Sequence, residues 1–166
     1  MPMAVLAGVD NAEVDSESRR PLSVEEMSRL LETAAAAGLI EGLTGDERAL
    51  LYRFAFETGL RPNQIRNLKV SDFDVDGDPP TVSTHAMYVK RRRHYVQILR
   101  PSLAADLRER FTAKVPAAAA LKLPSKYHMA EMLRKDLAAA RAAWVAEKGI
   151  RDEEREKRRG ATSWPT

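Results

Sequence analysis

The sequence predicts a mainly helical protein with one small β-hairpin, an α+β fold class. Alanine is abundant, and aromatic residues make up only 6% of the 166 residues while apolar residues reach 44%, a composition typical of thin, helix-rich packing. Two capping-box patterns mark helix starts, and two alternating segments flank a run of basic residues, as expected for helices and a pair of strands. The length is that of one domain.

The first two helices are predicted from the capping boxes. Ser23 and Glu26 open the first helix, and Thr44 and Glu47 open the second, because each pair can satisfy two free N–H groups at a helix start. The apolar positions that share one face of the first helix are Val24, Met27, Leu30 and Leu31. The positions predicted to continue the buried face in the second helix are Leu50, Leu51, Phe54 and Ala55.

The centre of the chain predicts a short helix followed by a hairpin. Gly59 ends the second helix because glycine readily takes a positive φ, and Pro62 suits the first turn of a third helix. Residues 74–80, DVDGDPP, are typical of turns. Residues 81–90 and 94–99 then read as two antiparallel strands. The basic residues at the hairpin tip are Lys90, Arg91, Arg92 and Arg93.

The later part of the chain predicts two more helices. One follows Pro101, and a long alanine-rich one covers about residues 126–148. We therefore divide the chain into a disordered acidic arm (1–20), a helical domain with the hairpin (21–113), a connector with the long helix (114–148), and a charged, disordered tail (149–166).

Composition limits the classes of function. There is no cysteine, so disulfides and thiolate metal sites are excluded. No apolar run approaches the roughly 18 residues of a membrane span, and the apolar start has no basic flank typical of a signal peptide. We expect a cytoplasmic protein. The net charge is only +3, but the basic residues are clustered, which suits binding to a polyanion such as nucleic acid.

The most informative segment is residues 54–74, FAFETGLRPNQIRNLKVSDFD. A helix that ends at glycine and another that starts at proline would hold Arg61 in a fixed place between them. Arginine suits a phosphate because its planar group donates two parallel hydrogen bonds and stays charged. Lys90 on the hairpin could supply a proton to a leaving oxygen. Arg66 and Lys69 lie close enough in sequence to face the same phosphate surface.

The motif TGLRPNQIRNLKVSDFD resembles the first arginine box of the tyrosine recombinases, also called phage integrases. Arg61 matches the box arginine, and Lys90 matches the family's hairpin lysine. The segment LSVEEMSRLL is similar to the first helix of the family's catalytic domain, so the resemblance covers roughly residues 21–111. Gln64 stands where the family often has an acidic residue, which would steady the guanidinium.

The resemblance implies a tyrosine-recombinase-like catalytic domain, mainly helical with a small sheet, whose C-terminal part is incomplete. It implies DNA recombination and integration through a phosphotyrosyl link, as in mobile elements, with no metal and no other cofactor. The family also needs a His-x-x-Arg box and a tyrosine nucleophile. The three histidines lie in HAMY, HYVQ and HMAE, without the required arginine. The residues weighed as a nucleophile, each better explained by packing or a surface hydroxyl, are Tyr52, Tyr88, Tyr95 and Tyr127.

We therefore predict a DNA-binding fragment of a site-specific recombinase that is inactive alone. Arg61 and Lys90 are its predicted catalytic residues, and its predicted partners are double-stranded DNA and other recombinase protomers. The long helix is similar to an insertion found ahead of the second box in some integrase-like proteins, which favours a truncated product. The predicted DNA-binding residues are Lys69, Arg91, Arg92 and Arg93. The alternatives are a non-catalytic DNA-binding module that modulates an intact recombinase, or a helical protein-interaction domain.

Overall fold

The computed structural model describes residues 21–84 and 95–147, which form five α-helices and three strands. The helices are α1 (Val24–Ala36), α2 (Gly45–Thr58), α3 (Pro62–Arg66), α4 (Pro101–Phe111) and α5 (Met129–Glu147). The strands are β1 (Phe73–Asp74), β2 (Thr81–Thr84) and β3 (Tyr95–Ile98), and a 3₁₀ turn, Val70–Asp72, precedes β1. The prediction of a mainly helical α+β protein is confirmed.

Helices α1 and α2 begin where the capping boxes predict. The Oγ atom of Ser23 accepts the N–H of Glu26 at 3.2 Å, and Oε2 of Glu26 accepts the N–H of Ser23 at 2.7 Å. Thr44 and Glu47 form the same pair of bonds at 3.3 and 2.8 Å. These bonds satisfy N–H groups that lack an intrahelical partner in the first turn.

The buried face of α1 agrees with the predicted one except at Val24, since Leu30 is buried and Met27 and Leu31 pack against the core. Val24 is 87% exposed, whereas Leu30 and Ala34 are almost completely buried. The stripe runs through Glu26, Leu30 and Ala34 at four-residue spacing. Val24 lies two positions before Glu26, and at 3.6 residues per turn this places it on the opposite side of the helix. In α2 the predicted residues Leu50, Leu51 and Phe54 are buried.

The sheet is antiparallel and has the order β1-β2-β3. Thr84 faces Tyr95 across the two longer strands, and Thr81 faces Ile98, so the base of the predicted hairpin is confirmed. Strand β1 was not predicted, because two residues are too short to show an alternating pattern. Residues 85–94 lie outside the described residues, and with them the predicted basic tip.

One buried cluster takes residues from every helix and from β2. Its members include Leu30, Phe54, Ile65, Val82, Leu107 and Met132. Trp144 of α5 is also buried, next to Ala140 in a smaller cluster. Because α2, α3 and α5 share one core, the turn between α2 and α3 has a fixed position relative to α5.

The connector between α4 and α5 lies along the segment after α3. The N–H of Ala120 donates to the carbonyl of Leu68 at 2.9 Å, and the N–H of Val70 donates to the carbonyl of Ala118 at 3.0 Å. Helix α5 begins at Met129 rather than near residue 126. Residues 126–128 form a turn instead, in which the N–H of His128 donates to the carbonyl of Ser125. The predicted start of α5 was therefore about one turn too early.

Candidate functional site

The turn between α2 and α3 fixes the backbone of Arg61. Gly59 ends α2 with φ of 65°, and its N–H donates to the carbonyl of Ala55 at 2.9 Å. This left-handed conformation is the reason for a glycine here. Leu60 is buried, and Pro62 starts α3 with its preset φ. The predicted arrangement of a glycine end, an arginine and a proline start is confirmed.

Gln64 fixes the same turn from the other side. Its Oε1 accepts the main-chain N–H of Arg61 at 2.8 Å, and its own N–H donates to the carbonyl of Arg61 at 2.8 Å. The sequence led us to expect that a neutral amide here would bond the guanidinium only more weakly than the acidic residue common in the family. In the structure the Gln64 side chain acts on the backbone of Arg61, in the way that the N3 residue of a capping box does.

The side chain of Arg61 lines a groove of about 710 Å³ between α3 and the start of α5. The full lining is Arg61, Pro62, Asn63, Gln64, Arg66, Lys126, Met129, Ala130 and Leu133. Its charged members are Arg61, Arg66 and Lys126, and no carboxylate of a described residue is among them. Arg61 is exposed, and within residues 21–84 and 95–147 its guanidinium has no hydrogen-bond or ion-pair partner. The groove therefore presents positive charge above an apolar floor.

Arg66 connects the two walls of this groove. Its Nη2 donates to the carbonyl of Pro124 at 2.6 Å, which ties the end of α3 to the connector. Two residues later, Lys126 lies at the rim, with its Nζ 4.9 Å from the centre of the Tyr127 ring. Tyr127 is 78% exposed. The bond from Arg66 thus holds the segment that carries Lys126 near α3, and Lys126 lines the same groove as Arg61.

Lys69 is the one other predicted site residue that the structure describes. Lys69 is exposed, and its main-chain N–H donates to Oδ2 of Asp72 at 2.8 Å, but the residue does not line the groove. Lys90, Arg91, Arg92 and Arg93 lie outside the described residues. The proposed pairing of Arg61 with Lys90 therefore remains a prediction.

A second arginine, Arg48 of α2, forms a buried network with α5. Its Nε and Nη2 donate to the two carboxylate oxygens of Asp136 at 2.8 and 3.2 Å. Its Nη1 donates to the carbonyls of Gly38 and Leu43 at 2.7 and 3.0 Å. Arg48 is 0% exposed and Asp136 is 2% exposed. This two-point pairing joins α5 to α2 and to the loop between α1 and α2.

Tyr52 completes the network. Its hydroxyl donates to Oδ2 of Asp136 at 2.6 Å. Burial, and then the hydrogen bond to Asp136, raises the pKa of Tyr52 far above its usual range. A neutral, buried hydroxyl that already donates to a carboxylate is a poor nucleophile, which agrees with the packing role expected for this residue. Among the other tyrosines weighed, Tyr95 and Tyr127 are exposed, and Tyr88 lies outside the described residues.

The interpretation of the sequence missed this network, although a signal was present. Arg48 falls three and four positions before Leu51 and Tyr52, on the buried side of α2. Asp136 falls four positions after Met132 and before Ala140, on the buried side of α5. Opposite charges in the buried stripes of two helices predict a pair, because an unpaired buried charge is costly. Lys126 was missed because its neighbours in space come from α3.

Within the part of the chain that the structure describes, no cluster of three His, Asp or Glu side chains is arranged to hold a metal ion. None of the helices in that part combines the length and the apolar character needed to cross a membrane. No family model matches the chain, and no similar curated protein or solved structure was found.

Proposed function

We propose that the protein is a DNA-binding fragment of a tyrosine recombinase, in which Arg61 contacts a backbone phosphate. One observation carries the proposal: Arg61 has an exposed guanidinium, without a partner among the described residues, in a groove whose charged lining is entirely basic. A site that binds an anion needs free donors, and an arginine that serves only structure normally has its donors occupied.

The sequence supports the assignment to this class of protein. The arginine lies in a segment that resembles the first arginine box of the tyrosine recombinases, and the turn holds its backbone as that role requires. On this proposal Arg61 holds the scissile phosphate and Lys90 protonates the leaving 5′ oxygen. Lys69 and residues 91–93 add phosphate contacts. The partners are double-stranded DNA and other recombinase protomers, in the cytoplasm.

A fluorescence titration with a short mixed-sequence duplex tests the DNA contact. Arg61→Ala should weaken binding roughly tenfold, the scale of one lost charged hydrogen bond. It should also reduce the slope of log affinity against log salt by about 0.9, the contribution of one phosphate. The control is Arg110→Ala on α4, since Arg110 lines a different groove, one that also contains carboxylates. If the two variants bind alike, Arg61 is not a phosphate contact.

We also propose that this chain does not cut DNA by itself. The sequence lacks the His-x-x-Arg box of the family, and Tyr52, the tyrosine nearest the box in sequence, is used in the buried network. Loss of one charge-stabilising donor typically costs on the order of 10² to 10³ in rate, and loss of the nucleophile removes the covalent route. A nicked suicide duplex should give no covalent band on a denaturing gel. A band would contradict this part of the proposal.

The buried Tyr52 favours one alternative, a non-catalytic DNA-binding module that modulates an intact recombinase. This alternative is distinguished by an effect on a second protein, an intact recombinase. Added to an intact recombinase on the same DNA, this chain would change the rate of recombination without forming a covalent product. The Arg61→Ala variant would then lose that effect together with its DNA affinity.

A further inference from the structure

We infer that the start of α5 is a second DNA contact, and that a duplex backbone runs along the groove between Arg61 on one wall and Lys126 on the other. This inference rests on the proposed function and extends it, because it assigns a binding role to a part of the chain outside the arginine box. The occupant is a phosphodiester backbone with two phosphates in reach of the two side chains.

The size of the groove argues for more than one phosphate. Its volume of about 710 Å³ lies in the range of sites that hold entire drug-sized molecules. A single phosphate on Arg61 would leave most of this space empty. A stretch of sugar and phosphate fills it better, because its sugars can lie over Met129 and Leu133 while its charges meet the basic rim.

The charges also argue for a polyanion. The three charged lining residues come from three places: the turn before α3, the end of α3 and the turn before α5. No carboxylate of a described lining residue neutralises them. The nearby carboxylate of Glu131 on α5 pairs with Lys135 instead, at 2.9 Å. Such separation of charge keeps the groove attractive to phosphates.

Lys126 is held in place by the contacts around it. Arg66 bonds the carbonyl of Pro124 just before it, and His128 just after it pairs through Nδ1 with Oε2 of Glu41 at 2.8 Å. Further along α5, Asp136 anchors the helix to Arg48. A lysine on a segment held at both ends loses less conformational entropy on binding than one on a free loop. Its Nζ lies 4.9 Å from the centre of the exposed Tyr127 ring, so the ammonium group stays at the rim of the groove.

The test is a titration of a mixed-sequence duplex over salt concentrations, with Lys126→Ala compared with Lys135→Ala. Both variants remove one lysine charge, but Lys135 lies on the exposed face of α5 and does not line the groove. Lys126→Ala should reduce the salt slope by about 0.9, and the double variant with Arg61→Ala should reduce it by about 1.8. Lys126→Arg should restore the wild-type slope, because charge is what the contact needs. Thermal unfolding should be the same for all variants.

The possible failures are distinguishable. If Arg61→Ala lowers the slope and Lys126→Ala behaves like Lys135→Ala, the second contact is wrong and the proposed function stands. If wild-type protein shows no salt-dependent binding to the duplex, both fail. If the double variant loses no more than Arg61→Ala alone, the two side chains share one phosphate and the backbone does not run along the groove. If poly-glutamate binds as tightly as the duplex and depends equally on Lys126, the groove accepts acidic protein segments and the assignment to DNA is overturned.

Discussion

Arg48 and Arg61 carry the same guanidinium group, but the two regions around them differ in whether they supply hydrogen-bond acceptors for it. Arg48 is fully buried, and its donors reach Asp136 and the carbonyls at the end of α1 and in the following loop. Arg61 is exposed in the groove, and no described residue accepts a hydrogen bond from its side chain. One guanidinium joins elements of the fold, and the other is available to a ligand.

This difference shows that a basic residue has to be judged by its partners rather than by its charge. Removing a partner of Arg48 leaves a buried charge uncompensated, which affects the stability of the fold. Removing the side chain of Arg61 affects only the binding of a ligand. The two regions should therefore respond oppositely to mutation, the first in unfolding experiments and the second in binding experiments.

The largest expected effect is from Asp136→Ala. It removes the carboxylate that pairs with Arg48 and accepts from Tyr52, and leaves both donors buried. Breaking a buried pair in this way costs about 3 to 5 kcal/mol. Urea unfolding followed by circular dichroism measures the loss. The control is Glu131→Ala on the same helix, where an exposed pair with Lys135 is removed; losses of equal size in the two variants would contradict a structural role for the network.

A smaller loss is expected from Tyr52→Phe. The ring still packs, but Oδ2 of Asp136 loses its hydrogen bond from the hydroxyl. Hydrogen bonds to charged groups contribute about 1.5 to 3 kcal/mol, and the free energy of unfolding should fall by an amount in that range. If the variant is as stable as the wild type, the hydroxyl contributes nothing to the network.

The same pair of proteins gives a pH test. Because burial raises the pKa of Tyr52 in the folded state, the native state keeps the proton above pH 10, where the unfolded state starts to lose it. Stability then falls with rising pH, since the unfolded state binds fewer protons. The advantage of the wild type over Tyr52→Phe should be constant below about pH 9 and should shrink above about pH 10. A difference that stays constant up to pH 11 would contradict the assigned cause.

The turn that presents Arg61 is tested by Gly59→Ala. At φ of 65° an added Cβ would meet no atom within 4 Å, so the cost is that of the left-handed backbone, about 1 to 2 kcal/mol. Gly38→Ala is a matched control, because it also has open space around its Cβ but no positive φ. It should be neutral or slightly stabilising in thermal unfolding. If the two variants lose equal stability, the positive φ at Gly59 is not the cause of the loss in Gly59→Ala.

The smallest expected effect on stability is that of Arg61→Ala. Exposed residues without partners usually change the free energy of unfolding by no more than about 0.5 kcal/mol. The same variant should lose DNA affinity, so it separates binding from folding. A loss of stability comparable to that of Asp136→Ala would show that Arg61 has a structural partner after all.

Local patterns predicted most of the fold. The two capping boxes, Gly59 at a helix end and Pro62 at a helix start are each encoded by neighbours in sequence, so they could be found without a structure. The short strand β1 and the start of α5 could not, because they depend on pairing with β2 and on the path of the connector.

The candidate site likewise contains residues that the sequence predicted and residues that it did not. Arg61 was predicted because the turn that fixes its backbone lies within one continuous segment. Lys126 was not, because it reaches the groove only through the bond between Arg66 and Pro124, 58 positions apart. The contact of the Gln64 side chain with the backbone of Arg61 was not predicted, because Gln64 was considered only as a weaker partner for the guanidinium. The hairpin lysine, Lys90, remains a prediction.

The pairing of Arg48 with Asp136 also constrains how the chain folds while it is being synthesised on the ribosome. The two residues are 88 positions apart, and at about 5 to 20 residues per second the second is synthesised roughly 4 to 18 s after the first. Throughout that interval the Asp136 carboxylate that pairs with Arg48 has not yet been made, and enclosing Arg48 without a partner is unfavourable. The final closure of the N-terminal helices therefore waits for α5. A single aspartate late in the chain thus sets the earliest time at which this buried pair can close.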